Sequence, residues 1–166
     1  MEEPAQRHDL ALYLLRHAHA GNPDAWEGDD DQRPLSDKGR GQAQKLGEYM
    51  AARGFAAAAV VSSPKLRALQ TAELFAAPLD LSVTTDRRLA GPLDVDRLAA
   101  IIDAAAGRRV VLVGHDPDFS ELAATRSGAS YLPLKKGAIC RLDVSLPLQA
   151  AGGILRWLLP PDLLAG

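Results

Sequence analysis

Short apolar runs alternate with longer amphipathic segments along most of this chain, and that alternation limits the choice of fold more than any other feature. Apolar runs of strand length occur at residues 10–15, 57–61 and 110–113, and a shorter one occurs at 81–84. The segments between them have the capping residues and apolar spacing of helices. Strands and helices in alternation predict a parallel sheet with helices on both faces, which is an α/β fold.

The starts of these helices can be predicted from residues that cap a first helical turn. They are Ser36, Ser63 followed by Pro64, Asp94, and Asp116 followed by Pro117. The end of the chain has a different pattern, because the apolar runs at 138–144 and 154–159 are separated by a loop rich in proline and glycine. We expect these two runs to form antiparallel strands at the sheet edge.

Length and charge exclude several classes of protein. The chain has 166 residues, 47% of them hydrophobic, which fits one domain over residues 1–166 with a polar tail at 1–8. A formal net charge of -2 provides no basic field, so we expect neither nucleic acid nor a membrane as a partner. The first ten residues lack the apolar stretch of an export signal, and the single cysteine, Cys140, suits a reducing compartment as a buried, unreactive thiol. We therefore expect a cytoplasmic protein.

Polar residues follow three of the apolar runs at the point where each predicted strand ends. Arg16 and His17 follow the first run, residues 62–67 follow the second, and His115 follows the third. The C-terminal ends of parallel strands line one crevice, so these three segments can meet there. Guanidinium groups and helix N-termini both bind phosphoryl oxygens. The sequence therefore predicts a phosphate site at this edge of the sheet.

Within that site, His17 is the better candidate for a nucleophile because a strand fixes its backbone. Positive charge from Arg16 and Arg67 should lower the pKa of His17 and keep one ring nitrogen unprotonated near neutral pH. His17 would take the phosphoryl group and water would then release it, with activity falling at acid pH as the imidazole is protonated. Arg16, Arg67 and His115 would hold the phosphoryl oxygens, and Ser62 would be a further phosphate contact. This scheme requires no metal ion and no cofactor.

Three motifs in this order resemble the histidine phosphatase superfamily, namely RHA at 16–18, SSPKLRALQTA at 62–72 and GHDP at 114–117. The compact length and the later segments LPLKKGAICRLD and LRWLLPP resemble its SixA-type phosphohistidine phosphatases. The resemblance implies a three-layer α/β/α sandwich around a mostly parallel sheet, as in phosphoglycerate mutase. It also implies that His17 is the phosphorylated nucleophile, and that Arg16, Arg67 and His115 form the phosphate pocket. The implied substrate is phosphohistidine carried by a protein.

The chain departs from the superfamily pattern in two places. Ala18 stands where the first motif has a glycine, and residues 86–94 hold no glutamate where phosphomonoesterases and mutases of the superfamily place a proton-donating acid. The nitrogen of a phosphorylated histidine is a much better leaving group than an alkoxide, so this gap favours phosphoramidate substrates. Asp94, Asp24 or Glu27 could still supply a proton, which keeps simple phosphate esters open.

Three other functions are open from the sequence alone. The main alternative is a small-molecule phosphomonoesterase of the same superfamily. A metal-dependent hydrolase would use His17 and His19, which have the spacing of a metal-binding pair. His115, Asp116 and the aspartates of the 21–34 loop could complete such a site, although Arg16 and Arg67 would repel a cation there. The third alternative is a phosphate-binding module without turnover.

Two further polar segments lie outside the motifs. The loop at 21–34 is long enough to cover a site or to be mobile. Lys135 and Lys136 could guide a phosphorylated partner, but we favour a surface-charge role for both.

Overall fold

The alternating apolar runs form one mixed sheet in the computed structural model, which describes residues 9–149 and 151–164. The predicted polar tail at 1–8 lies outside the described residues. The strands are β1 (Leu10–Arg16), β2 (Ala59–Ser62), β3 (Val83–Thr85), β4 (Arg109–Gly114), β5 (Ile139–Val144) and β6 (Ile154–Leu159). The helices are α1 (Asp37–Ala52), α2 (Leu66–Ala76), α3 (Val95–Ala105) and α4 (Asp118–Ser127).

The order of the strands across the sheet is β3-β2-β4-β1-β5-β6. The first four strands in that order are parallel to one another, whereas β5 is antiparallel to both β1 and β6. The predicted parallel sheet with an antiparallel edge is therefore confirmed. Arg16 at the end of β1 is in register with Gly114 at the end of β4, so the residues that follow the two strands are neighbours.

Alternate residues of the central strand β1 point to two separate hydrophobic clusters. Leu12 and Leu14 pack in the cluster that includes residues of α3 and α4. Tyr13 and Leu15 pack in the cluster that includes residues of α1 and α2. Because successive side chains of a strand point to opposite faces, the sheet is covered by helices on both sides. This is the predicted three-layer α/β/α sandwich.

Two of the four predicted helix starts are confirmed. The Ser36 hydroxyl accepts a hydrogen bond from the Gly39 N–H and caps α1, and the Asp94 carboxylate accepts one from the Arg97 N–H and caps α3. Gly39 serves a second purpose, since a Cβ at this position would lie 1.9 Å from the backbone oxygen of His19. Only glycine permits the start of α1 to pack this closely against the chain that follows β1.

The other two predicted starts are wrong, one by two residues and the other by one. Helix α2 begins at Leu66 rather than at Pro64. The Ser63 hydroxyl accepts a hydrogen bond from the Lys65 N–H, just before the helix, and also contacts His115. Helix α4 begins at Asp118 rather than at Pro117. In this second case the predicted residue still acts near the helix start, since Asp116 accepts a hydrogen bond from the Ser120 N–H at 3.0 Å.

Cys140 lies in β5 with no exposed surface, and burial raises the pKa of its thiol to about 12. The predicted buried thiol is confirmed. Among the described residues, no helix combines the length and apolar character needed to cross a membrane.

Candidate active site

The three motifs meet at the C-terminal ends of β1, β2 and β4. The backbone N–H of His17 donates to the Gly114 carbonyl at 2.9 Å, and that of Ser63 donates to the Val113 carbonyl at 2.9 Å. The His17 and His115 rings consequently lie with their centroids 5.3 Å apart. The strand register thus brings together imidazoles that are almost one hundred residues apart in sequence, as expected for the crevice of an α/β sheet.

The ring of His17 is held in one tautomer. Its Nδ1 lies 2.8 Å from the backbone oxygen of Ala18, and because a carbonyl only accepts, Nδ1 must carry the proton. Nε2 is then unprotonated in the neutral ring. Burial is the main cause that lowers the pKa of His17 to about 3, and the charges of Arg67, Arg16 and Lys136 lower it further. His17 therefore presents a neutral imidazole with a lone pair on Nε2 at physiological pH.

The backbone after His17 is fixed by a hydroxyl from α2. The N–H of Ala18 donates to Thr71 Oγ1 at 3.0 Å, and Ala18 itself is fully buried. Among the described residues, Asp80 and Ala106 are the non-glycine residues with positive φ, so Ala18 does not adopt the conformation that favours glycine. Alanine is therefore accommodated here without backbone strain.

His115 contacts a serine that the sequence analysis assigned only to a helix cap. Its Nε2 lies 2.8 Å from Ser63 Oγ, and burial, followed by the positive charges nearby, lowers the pKa of His115 to about 3. Ser62, predicted as a phosphate contact, points elsewhere: its hydroxyl donates to the Ser63 carbonyl at 2.8 Å, and the residue has no exposed surface. The hydroxyl that faces the imidazole pair belongs to Ser63.

The terminal nitrogens of Arg16 and Arg67 contact the surrounding loops. Arg16 donates to the Leu134 carbonyl at 2.8 Å and lies 3.4 Å from an Asp116 oxygen. Arg67, which is 7% exposed, donates to the Asp30 carbonyl at 2.9 Å and lies 3.2 Å from the Asp30 carboxylate. These contacts fix where the two guanidinium groups lie.

Several side-chain nitrogens of the motif residues are buried without a partner. In the described part of the chain, the buried side-chain polar atoms with no hydrogen bond are Nε of Arg16, Nε of Arg67, Nδ1 of His115 and Nε of Arg126. Buried donors are nearly always satisfied in folded proteins. Three of these four nitrogens belong to the predicted phosphate pocket, and their chemistry fits an oxyanion.

The loop at 21–34 covers part of the site through an acidic turn. Asp30 contacts both Arg67 and Arg33, with Arg33 Nε donating to its carboxylate at 2.9 Å. Arg33 is 7% exposed and also donates to the Ala20 carbonyl at 2.6 Å. The hydrogen bond from Arg33, and the charge of Arg67, hold the pKa of Asp30 below its usual range. The Asp30 carboxylate is therefore ionised at neutral pH.

His19 is directed away from His17. Its Nδ1 lies 2.6 Å from the hydroxyl of Ser36, at the start of α1, whereas Nδ1 of His17 faces Ala18. The described residues contain no group of three His, Cys, Asp or Glu side chains placed to hold a metal ion. A set of three ligands that includes His17 and His19 is therefore not assembled in the described part of the chain.

The candidate proton donors are dispersed. Asp94 caps α3, and Asp24 and Glu27 are exposed on the 21–34 loop. Within the stretch 86–94, the Asp86 carboxylate is bonded to the Arg88 guanidinium at 2.6 Å. None of these four carboxylates makes a hydrogen bond or an ion pair with His17 or His115.

The structure adds five residues to the site that the sequence analysis left out or assigned elsewhere. They are Asp30, Arg33, Ser63, Thr71 and Lys136. Ser63 and Thr71 lie in the motif at 62–72, and of the five only Ser63 directly follows a strand. The other four act through contacts made across the fold.

Comparison with known proteins identifies the family of this chain. The family model described as histidine phosphatase superfamily, branch 1, matches residues 12–91. An uncharacterized protein of Picosynechococcus sp. is 33% identical over 140 residues, which are 80% of this chain and 84% of that protein. The structure of the protein histidine phosphatase SixA complexed with tungstate superposes with a TM-score of 0.80 at 23% identity, covering 93% of this chain and 99% of SixA.

A mycobacterial glucosyl-3-phosphoglycerate phosphatase shares the same fold, with a TM-score of 0.68 at 18% identity over 89% of this chain and 98% of that structure. Proteins named for different phosphorylated substrates thus share one architecture with this chain. Given the family model and a relative of one-third identity over most of its length, the chain belongs to the histidine phosphatase superfamily and has the α/β fold of its phosphatases.

Proposed function

We propose that this protein is a phosphohistidine phosphatase that transfers the phosphoryl group of a protein-bound phosphohistidine to its own His17. The observation that carries the proposal is the state of the carboxylates at the site. Asp30 and Asp116 are the described acids that contact its arginines, and both act there as hydrogen-bond acceptors. A substrate whose leaving group needs no protonation by the enzyme suits such a site.

In the first step, Nε2 of His17 attacks phosphorus and the P–N bond to the substrate imidazole breaks. The bond to Ala18 that holds the proton on Nδ1 supports Nε2 as the attacking atom. The leaving imidazole departs with its own ring proton, so no acid from the enzyme is consumed. Because the pKa of His17 is lowered to about 3, nearly all of the enzyme carries the neutral nucleophile at neutral pH.

In the second step, water attacks the phosphohistidine and the bond between phosphorus and His17 Nε2 breaks, releasing inorganic phosphate. Arg16, Arg67 and His115 stabilise the negative charge of the phosphoryl oxygens in both steps. The unpartnered Nε donors of Arg16 and Arg67 support this role. Neither step calls for a metal ion, and the cytoplasm is the proposed compartment.

Leaving-group chemistry provides the test of this proposal. Three substrates should be compared: a carrier protein phosphorylated on histidine, the aryl ester p-nitrophenyl phosphate, and an alkyl ester such as glycerol 2-phosphate. We expect the first two to be hydrolysed and the alkyl ester to react slower by about a thousandfold in kcat/KM, since its alkoxide must be protonated as it leaves. All three activities should be lost in His17→Asn.

An alkyl ester hydrolysed as fast as the phosphohistidine protein would contradict the proposal. It would mean that a carboxylic acid reaches the leaving oxygen, and the protein would then be a small-molecule phosphomonoesterase.

A further inference from the structure

The turn before β5 is fastened directly to the backbone of the proposed nucleophile. The N–H of Gly137 lies 3.1 Å from the Arg16 carbonyl and 3.0 Å from the His17 carbonyl, and the N–H of Arg16 donates to the Ala138 carbonyl at 3.0 Å. The guanidinium of Arg16 donates in turn to the Leu134 carbonyl. The segment 134–138 therefore follows the end of β1 residue by residue, and Lys136 lies within it.

The two lysines of this segment have different surroundings. Lys135 is exposed, and its ammonium lies 3.2 Å from the carboxylate of Asp162. Lys136 is half-buried and has no hydrogen-bond or ion-pair partner among the residues that the structure describes. The surface-charge role expected for both lysines therefore suits Lys135 alone.

Lys136 is also close to the cations of the site. Burial, and then the charges of Arg16, Arg33 and Arg67, lower the pKa of Lys136. A half-buried ammonium among three guanidinium groups is unfavourable unless an anion is bound there. Only two carboxylates, Asp30 and Asp116, contact these arginines in the described structure. A bound phosphoryl group would supply the missing negative charge.

We propose that Lys136 is a further phosphoryl-binding residue, whose ammonium group holds an oxygen of the phosphoryl group together with Arg16 and Arg67. Lys136 carries three N–H donors on a flexible stem and can follow the phosphoryl group as it moves from substrate to His17. The role of Lys136 rests on the proposed function in one respect only, namely that the site binds a phosphoryl group.

Binding of tungstate, an oxyanion that resembles phosphate, tests this role without depending on the leaving group. Lys136→Met should weaken tungstate binding, measured by titration calorimetry, by about tenfold, as expected for the loss of one hydrogen bond to a charged group. Lys135→Met is the matched control, since it removes the same charge one residue away, and its Kd should stay within about twofold of the wild type. Lys136→Arg should restore most of the affinity.

A second measurement separates binding from mere support of the turn. The pKa of His17, followed by NMR of the imidazole, should rise in Lys136→Met, because a positive charge beside the ring has been removed. Equal weakening of tungstate binding by both lysine variants, or no weakening by either, would overturn the proposal. A preference for alkyl esters in the substrate comparison would contradict the phosphohistidine assignment but leave these affinities unchanged, so the two failures can be told apart.

Discussion

The hydroxyl of Thr71 joins the residue after His17 to the residue that supplies a guanidinium of the site. It accepts a hydrogen bond from the Ala18 N–H at 3.0 Å and donates one to the Arg67 carbonyl at 2.7 Å. Thr71 has no exposed surface. One buried hydroxyl thus fixes the position of His17 relative to Arg67, although the two lie on different elements of the fold.

Replacing Thr71 with valine keeps the shape of the side chain and removes both hydrogen bonds. The Ala18 N–H would be left buried without an acceptor, which costs about 1–3 kcal/mol of folding stability. We expect kcat/KM to fall by roughly tenfold, because the nucleophile and Arg67 lose their common support. Thr71→Ser retains the hydroxyl and should stay near wild type in both urea unfolding and turnover. Normal activity in Thr71→Val would show that this link does not position His17.

Replacing Ser62 and replacing Ser63 should have different effects on kcat and on stability. Ser63→Ala removes the partner of His115 Nε2 and should lower kcat by about tenfold, since the imidazole is no longer held against the site. Ser62→Ala removes only an internal bond to the Ser63 carbonyl, so it should cost about 1 kcal/mol in stability and leave kcat unchanged. Steady-state kinetics and urea unfolding of both variants decide the matter. A larger loss of kcat in Ser62→Ala would restore Ser62 as the phosphate contact.

The Asp30 carboxylate contacts the Arg67 guanidinium, and so competes with the negatively charged phosphoryl group of a substrate. In Asp30→Asn the arginines keep a hydrogen-bond acceptor but lose the competing charge, so inorganic phosphate should inhibit at about fivefold lower concentration in low salt. The effect should shrink as salt is added. Asp31→Asn is the control, because Asp31 is exposed and lies 3.7 Å from Lys65 instead. Weaker inhibition in Asp30→Asn would mean that its carboxylate chiefly holds Arg67 in place.

The strands and the three motifs could be predicted from the sequence because both signals are local. An apolar run such as residues 110–113 marks a buried strand on its own, and the position of His115 after it follows from chain order. The choice between Ser62 and Ser63 could not be made this way. A one-residue shift reverses the direction of a side chain on a strand, and the sequence does not mark the last residue of β2.

Loop residues were harder to predict for a different reason. Asp30 is paired with Arg67, and the residue after Lys136 is hydrogen-bonded to the backbone of Arg16 and His17. In sequence, Asp30 and Lys136 resemble any charged loop residue. The neighbouring Lys135 has the same local sequence, but its ammonium is paired with Asp162. Only the folded arrangement distinguishes the two lysines.

The lowered pKa values of His17 and His115 predict opposite behaviour for activity and stability in acid. Both are about 3 in the folded protein and about 6.5 in the unfolded chain. Protonation of His17 should therefore not reduce turnover between neutral pH and about pH 5. The sequence analysis, by contrast, expected activity to fall at acid pH.

The stability of the folded protein, unlike its activity, should fall over this pH range. Below the unfolded pKa the unfolded chain binds protons that the folded protein excludes, so the free energy of unfolding falls as the pH drops toward 3, by up to about 1.4 kcal/mol per pH unit for each histidine. Urea unfolding from neutral to mildly acidic pH measures this slope. His115→Asn should make it shallower, and an unchanged slope would show that His115 is not buried in its neutral form.

The most direct test of the whole account is to trap the phosphoryl group on the enzyme. The protein should be mixed with a phosphohistidine carrier protein, quenched in alkaline denaturant within one turnover, and analysed by mass spectrometry of its peptides and by 31P NMR. We predict a phosphoryl group on Nε2 of His17, stable in base and lost in acid, and none on any residue of His17→Asn. Rapid turnover with no phosphate on His17 at any time, or turnover by His17→Asn near the wild-type rate, would contradict the account.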